Sequence, residues 1–217
     1  MYKTASVCWR FDGCHAGSVS ATVSELAGFV AFAFVGTVSP GPNNAVLWAS
    51  GLSFGFRRTL PHVLGTALGM GTLVVSVAAG LGALIEAVPA AEVVLKVVGS
   101  MYLLYLAYRV ATSGSMTPTR VSGPLTVWQA IGFQWANPKA WIFVIATVGT
   151  FLPPQFGRIV GVALVTAMLM IIVVGTSSIW AAGGAALGRL IQDERRRRVL
   201  NLTLAVLLVA SVVLIWE

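Results

Sequence analysis

The 217-residue chain is 57% hydrophobic and 10% charged, with a net charge of +7 and a mean hydropathy of +0.87. Soluble domains carry roughly 25% charged residues, so composition alone makes this an integral membrane protein. Apolar segments of the ~20 residues a membrane helix needs fill nearly the whole chain, leaving no soluble domain for nucleotide or nucleic-acid chemistry, and the positive charge is read as topology.

Residues 1–24 lack the apolar core of a signal peptide and form a tail expected to be disordered. Cys8 and Cys14 both lie in it, with His15 beside the second. The pair could make a disulfide or half a metal site, and two ligands without partners elsewhere are a weak signal for either. No metal, cofactor or catalytic group is expected.

The first span runs over 26–48 and is interrupted by Ser39-Pro40-Gly41-Pro42-Asn43-Asn44. Two prolines flanking a glycine remove two backbone donors and forbid regular helix there. Within a lipid-spanning segment this is a broken helix, tolerated only where protein or a water-filled cavity satisfies the freed backbone groups. Residues 51–60 read as a polar-basic connector with Arg57 and Arg58. The second span, 62–85, is rich in small residues. Its Gly65 and Gly69 let helices approach closely, which favours packing within the chain over dimerisation, although such faces also allow a homodimer. His62, beside Pro61 at the start of this span, reads as a packing or interfacial histidine before a proton carrier.

A short turn over 86–92 holds Pro89 between acidic residues. The third span, 93–110, ends in Tyr102, Tyr105, Tyr108 and Arg109, aromatic and basic anchors of a membrane interface. Polar residues 112–125 form a linker that divides the chain into halves, 25–111 and 126–217, of three spans each. The fourth span, 127–151, contains Gln134, Trp135, Asn137, Pro138 and Lys139. The fifth, 159–182, ends in the small-residue run 183–188, and the sixth is 199–216. The arginine run 195–198 lies between two spans and reads as topogenic, with contact to anionic lipid headgroups a by-product.

Connectors after spans one, three and five hold nine Lys and Arg residues against four on the opposite side. The excess places those connectors in the cytoplasm and both termini outside. The fold expected is all-α: six transmembrane helices as two inverted three-helix repeats, with helices 1 and 4 broken at proline. Matched breaks in inverted halves point to a substrate site near the bilayer midplane. A break exposes N–H groups, which suit a carboxylate, and carbonyls, which suit an ammonium group. Asn43, Asn44 and Asn137 donate and accept without burying a full charge. Lys139 is an ionisable residue inside a span, an expensive placement that favours function over snorkelling to the interface. The candidate substrate-binding residues are therefore Pro40, Gly41, Pro42, Asn43, Asn44, Asn137, Pro138 and Lys139.

The Pro-Gly-Pro segment, the following Gly51-Leu52-Ser53-Phe54-Gly55-Phe56-Arg57-Arg58, and Phe133-Gln134-Trp135-Ala136-Asn137-Pro138-Lys139-Ala140-Trp141 together resemble the lysine exporter superfamily. The resemblance covers about 25–216. It implies a bacterial inner-membrane secondary exporter of amino acids or small derivatives, driven by protons, with the residues just named in the family's two signature positions. Many members have an acidic residue where Asn43 stands, a departure in this chain. The Phe-Gln-Trp and Asn-Asn variants look more like the cysteine/O-acetylserine or threonine/homoserine branches than the lysine branch.

The alternatives fit less well. A thiol-redox carrier needs cysteines at depth, and both lie in the tail. A serine protease needs a serine–histidine pair in a recognisable motif, and a metalloprotease needs a histidine–carboxylate cluster in a span. A passive pore needs one polar path, whereas two matched breaks suit alternating access.

Overall fold

The computed structural model describes residues 13–81, 89–112, 123–191 and 193–216. Among the described residues there are eight α-helices, one 3-10 turn and no strand. The helices are α1 (Gly13–Val38), α2 (Pro42–Phe54), α3 (Phe56–Ala78), α4 (Pro89–Thr112), α5 (Val127–Ala136), α6 (Pro138–Phe151), α7 (Arg158–Leu190) and α8 (Glu194–Trp216). Two of them, α3 and α7, are each long and apolar enough to cross a membrane, and α1 with α2 makes a third such segment bent by 62° at its break.

Both expected interruptions are present. Pro42, without an N–H, occupies the first position of α2, where a helix needs no donor. Pro138 does the same for α6, and Asn137 is the single non-helical residue between α5 and α6. The α5 start carries a capping box: Thr126 Oγ1 accepts from the Gln129 N–H at 3.3 Å, and Gln129 Oε1 accepts from the Thr126 N–H at 3.0 Å.

Four boundaries differ from the sequence reading. The helix α1 reaches back to Gly13 and so enters the stretch assigned to a disordered tail, taking Cys14 with it; Cys8 lies outside the described residues. The connector over 51–60 is helical except for Gly55, whose φ of 79° turns the chain between α2 and α3. Its first half stays helical because Gly51 and Leu52 are buried against α7. The run 183–188 continues α7 for the same reason, with Gly184 and Gly188 lying against the α2 backbone at Trp48 and Leu52. Residues 82–88 and 113–122, which include the first part of the acidic turn and most of the linker, lie outside the described residues. The rest of the expected turn, 89–92, is instead the start of α4, with Pro89 at its first position, where no N–H is needed.

Close approach between helices rests on glycine. Gly65 and Gly69 of α3 face Ala130 and Gln134 of α5, so this pair serves packing within the chain. The principal pairings are α2 with α7, α3 with α7, α3 with α5, and α4 with α8; α1 lies on α7, and α6 lies on α3. The largest apolar cluster joins α1, α3, α6 and α7 through Phe29, Leu73, Trp141, Val144 and Leu169. At the far end of α3, the Arg158 guanidinium donates to the Ala78 carbonyl. The outward faces of α4 and α8 are apolar, with Val94, Met101 and Leu104 on one and Val199, Val206 and Leu207 on the other exposed.

Candidate functional site

The break between α1 and α2 frees the last carbonyls of α1, and six consecutive oxygens find partners. Val35 accepts from the Ser39 N–H at 3.1 Å and Gly36 from the Ser39 hydroxyl at 2.9 Å. Asn44 Nδ2 donates to the Thr37 and Ser39 carbonyls, each at 2.8 Å. Trp180 Nε1 on α7 donates to the Val38 carbonyl at 3.0 Å. Lys139 Nζ on α6 donates to Ser39 Oγ at 2.8 Å and to the Ser39 and Pro40 carbonyls, both at 3.1 Å. An ammonium group has three donors, and all three are engaged. The positive charge sits at a helix C-terminus, where the macrodipole is negative.

The carbonyls at this break, assigned from sequence to the ammonium group of a substrate, are covered by the protein's own lysine and asparagine.

The two helix starts differ. At α6, Asn137 Oδ1 accepts from the Lys139 N–H at 3.1 Å and closes the end. At α2, Gly41 in extended backbone supplies no side-chain cap, and Pro42 follows it. Asn43 and Asn44 occupy the second and third positions of α2, whose N–H groups have no partner within a helix. Lys139 lies over this end: a Cβ on Gly41 would stand 3.0 Å from Lys139 Nζ. One break is closed and the other is open, beside a cation.

That open end lines a small cavity of about 50 Å³, below the ~300–1,000 Å³ that ligand cavities occupy. Six of the eight expected residues line it: Gly41, Pro42, Asn43, Asn44, Asn137 and Lys139. Pro40 and Pro138 do not; they shape the backbone on either side. Apolar walls come from Met70, Ala140, Phe143 and Val173.

Several polar residues of the cavity were not singled out from sequence. Gln134 Nε2 donates to Asn43 Oδ1 at 2.8 Å, and the Thr66 hydroxyl reaches the same oxygen at 3.3 Å. Thr176 on α7 and Thr37 on α1 are joined by their hydroxyls at 3.1 Å. Gln134 had a usable signal, since it precedes Asn137 by one helical turn and so projects on the same side. Thr66, Thr176 and Trp180 had none, because only tertiary packing brings them to the break.

The Trp180 bond carries a testable cost. Trp180→Phe keeps an aromatic ring against Trp48, whose centroid lies 5.8 Å away, and removes the donor to Val38. A carbonyl left unpaired costs up to about 1–3 kcal/mol where it is buried, and Val38 is half-buried. The variant is expected to melt at a lower temperature in detergent while Trp48→Phe, which leaves the Val38 bond intact, melts closer to the native protein. Equal melting of Trp180→Phe and the native protein would refute the assignment.

The LysE type translocator family matches residues 34–215, from just before the first break to the end of α8. The chain belongs to that family. This LysE-type chain is 30% identical over 196 residues to the cysteine/O-acetylserine efflux protein of Escherichia coli (strain K12), covering 90% of this chain and 99% of that one. The same identity and coverage hold for the cysteine/O-acetylserine efflux protein of Shigella sonnei (strain Ss046). No solved structure matches.

Proposed function

We propose that this LysE-type chain is a proton-driven secondary exporter of small amino acids and their derivatives in the bacterial inner membrane, with O-acetylserine and cysteine as its foremost substrates. The observation that carries the reading is the open N-terminus of α2 lying under the Lys139 ammonium in a cavity between two broken helices. A helix start and a cation converge on one point, the arrangement a carboxylate needs. The names of the relatives supply the substrate class.

The substrate carboxylate binds the N–H groups of Asn43 and Asn44 and draws Lys139 toward itself. The Ser39 and Pro40 carbonyls that Lys139 releases then accept the substrate ammonium, so the lysine and the substrate exchange partners. Asn137 and the Thr37–Thr176 hydroxyl pair line the polar remainder, and Phe143, Met70 and Val173 leave room for a short side chain. Because Lys139 ties α6 to the end of α1, the exchange loosens a contact between the two halves. A loosened contact between halves is what alternating access requires.

The membrane arrangement we propose has six spans: α1 with α2, α3, α4, α5 with α6, α7 and α8, with both termini on the outer side. The packing supports two inverted repeats. Exchanging the halves turns α1-on-α7 into α5-on-α3, turns α2-on-α7 into α6-on-α3, and maps the α3–α7 and α4–α8 pairs onto themselves. The apolar outward faces of α4 and α8 suit lipid.

The test is direct. Cells overproducing the protein should tolerate inhibitory cysteine and release O-acetylserine to the medium, and proteoliposomes carrying the purified protein should exchange radiolabelled O-acetylserine. If neither cells nor vesicles move either compound or any other amino acid, the reading fails.

A further inference from the structure

His62 is not explained by packing. The ring is fully buried on α3, its Nδ1 stands 3.5 Å from Ser50 Oγ, and its Nε2 has no partner. Neither neutral tautomer solves this. If Ser50 donates to Nδ1, the Nε2 N–H has nothing to bond; if Nδ1 donates to Ser50, the Nε2 lone pair is empty. A buried unpaired group costs about 1–3 kcal/mol, which leucine or methionine in the same space would not incur.

The place of the ring in the fold is informative. One turn along α3, the Thr66 hydroxyl lies 3.0 Å from the His62 carbonyl and 3.3 Å from Asn43 Oδ1, and Asn43 lines the substrate cavity. On the other side, Ser50 lines a second, small cavity of about 20 Å³, room for a water molecule, together with Phe54, Arg109 and Gly123. His62 therefore stands between the substrate site and a separate cavity.

The surrounding charges narrow what it can do. Neither α2 nor α5 carries an ionisable side chain. On α6, Lys139 is directed to Ser39 and Pro40; on α7, Arg158 binds the Ala78 carbonyl at the opposite end of α3, and Arg189 lies in the last turn. Arg57 and Arg58 of α3 are exposed, and Arg109 of α4 donates to the Gly123 carbonyl at 2.9 Å. Among the residues whose side chains are described, the carboxylates Glu25 and Asp193 are both exposed. Tyr102, half-buried on α4, donates its hydroxyl to the Gln129 carbonyl. Within the described interior, His62 alone is an imidazole with an unused ring nitrogen.

We propose that His62 is the proton-binding residue of the transport cycle, and that the cavity beyond Ser50 is the proton's route to the ring. The inference rests on the exporter reading above and adds the group that couples it. A proton from water in the second cavity is relayed through the Ser50 hydroxyl, which gives its own proton to Nδ1 and takes one from the water, leaving an imidazolium. The proton returns to water on the other side when the halves have moved. No covalent bond to substrate is made or broken.

Proteoliposomes with radiolabelled O-acetylserine test this in two modes, accumulation driven by an imposed pH gradient and exchange without any gradient. The native protein should show both. His62→Gln, which keeps a polar side chain but cannot carry a proton, should lose gradient-driven accumulation by about tenfold or more and keep exchange near the native rate. Accumulation retained by His62→Gln would overturn the inference and leave the exporter standing. Loss of both modes in a variant that purifies as a folded protein would overturn it too, since His62 would then serve binding. Native protein that exchanges substrate but ignores the gradient refutes proton coupling and this inference together, whereas native protein inert in both modes refutes the exporter reading itself.

Discussion

Replacing Lys139 by methionine is expected to reduce export of O-acetylserine by about a hundredfold, the equivalent of close to 3 kcal/mol, while the protein still reaches the membrane. Methionine keeps most of the side-chain stem, so packing changes little. The ammonium group goes, and with it three hydrogen bonds to Ser39 and Pro40. The Ser39 carbonyl retains Asn44, whereas the Pro40 carbonyl loses its partner. Hydrogen bonds to a charged group contribute about 1.5–3 kcal/mol. The larger effect falls on the substrate, whose carboxylate would face the α2 start without a counter-charge. Lys139→Arg should rescue only part of the loss, because the flat guanidinium needs width and Gly41 already lies in contact with the lysine stem, a Cβ there standing 3.0 Å from Cδ. Efflux rates normalised to membrane protein by immunoblot decide the matter. Native rates in Lys139→Met would remove the lysine from the mechanism.

Proline chemistry is local, which is why both breaks were legible in the sequence. Pro42 and Pro138 cannot donate, whatever surrounds them, and each stands at the first position of a helix. Lys139 was legible for a related reason, since a charge in an apolar segment is costly in any fold. What was hidden is how each break is satisfied. Asn137 closes its own helix start with a contact two residues away, and Gly41 leaves its start open. The matched motifs thus hide a functional asymmetry: the second break supplies the lysine and the first supplies the vacant helix end. The long connector expected over 51–60 failed on the same ground. Ser53, Arg57 and Arg58 read as polar loop by composition, yet a single glycine at 55 makes the turn, and the residues before it are drawn into helix by burial on α7. His62 shows the limit most clearly. Its position at a span boundary favoured a packing or interfacial role, and only the three-dimensional neighbourhood leaves one ring nitrogen unpaired.

Gly184→Val is expected to have the largest effect on folding, and through folding on the site. A Cβ on Gly184 would stand 3.0 Å from the Leu52 amide nitrogen and closer still to the Trp48 carbonyl. Those are backbone atoms of α2, which cannot swing aside as a flexible side chain can. The reciprocal contact, Gly51 against the Ala181 carbonyl, is equally tight, so the two helices touch along both backbones. In a membrane such approach is itself a source of cohesion, because lipid and side chains are alike apolar and close packing distinguishes them. Valine would force α2 away from α7, at a cost of about 1–3 kcal/mol or more. The displacement is not confined to that contact. The helix α2 carries the open N-terminus at Pro42, and Trp180 on the same α7 face holds the last α1 carbonyls. Moving α2 off α7 therefore spreads the Asn43 and Asn44 amides from Lys139 and the Thr176 hydroxyl. Gly175→Val is the control: it lies on the same helix with open space where its Cβ would go, and should leave both melting and transport near native. Folded yield by fluorescence-detected size exclusion, together with the melting temperature, should fall for Gly184→Val alone. Equal behaviour of the two variants would show that α2 is positioned by something other than its backbone contact with α7.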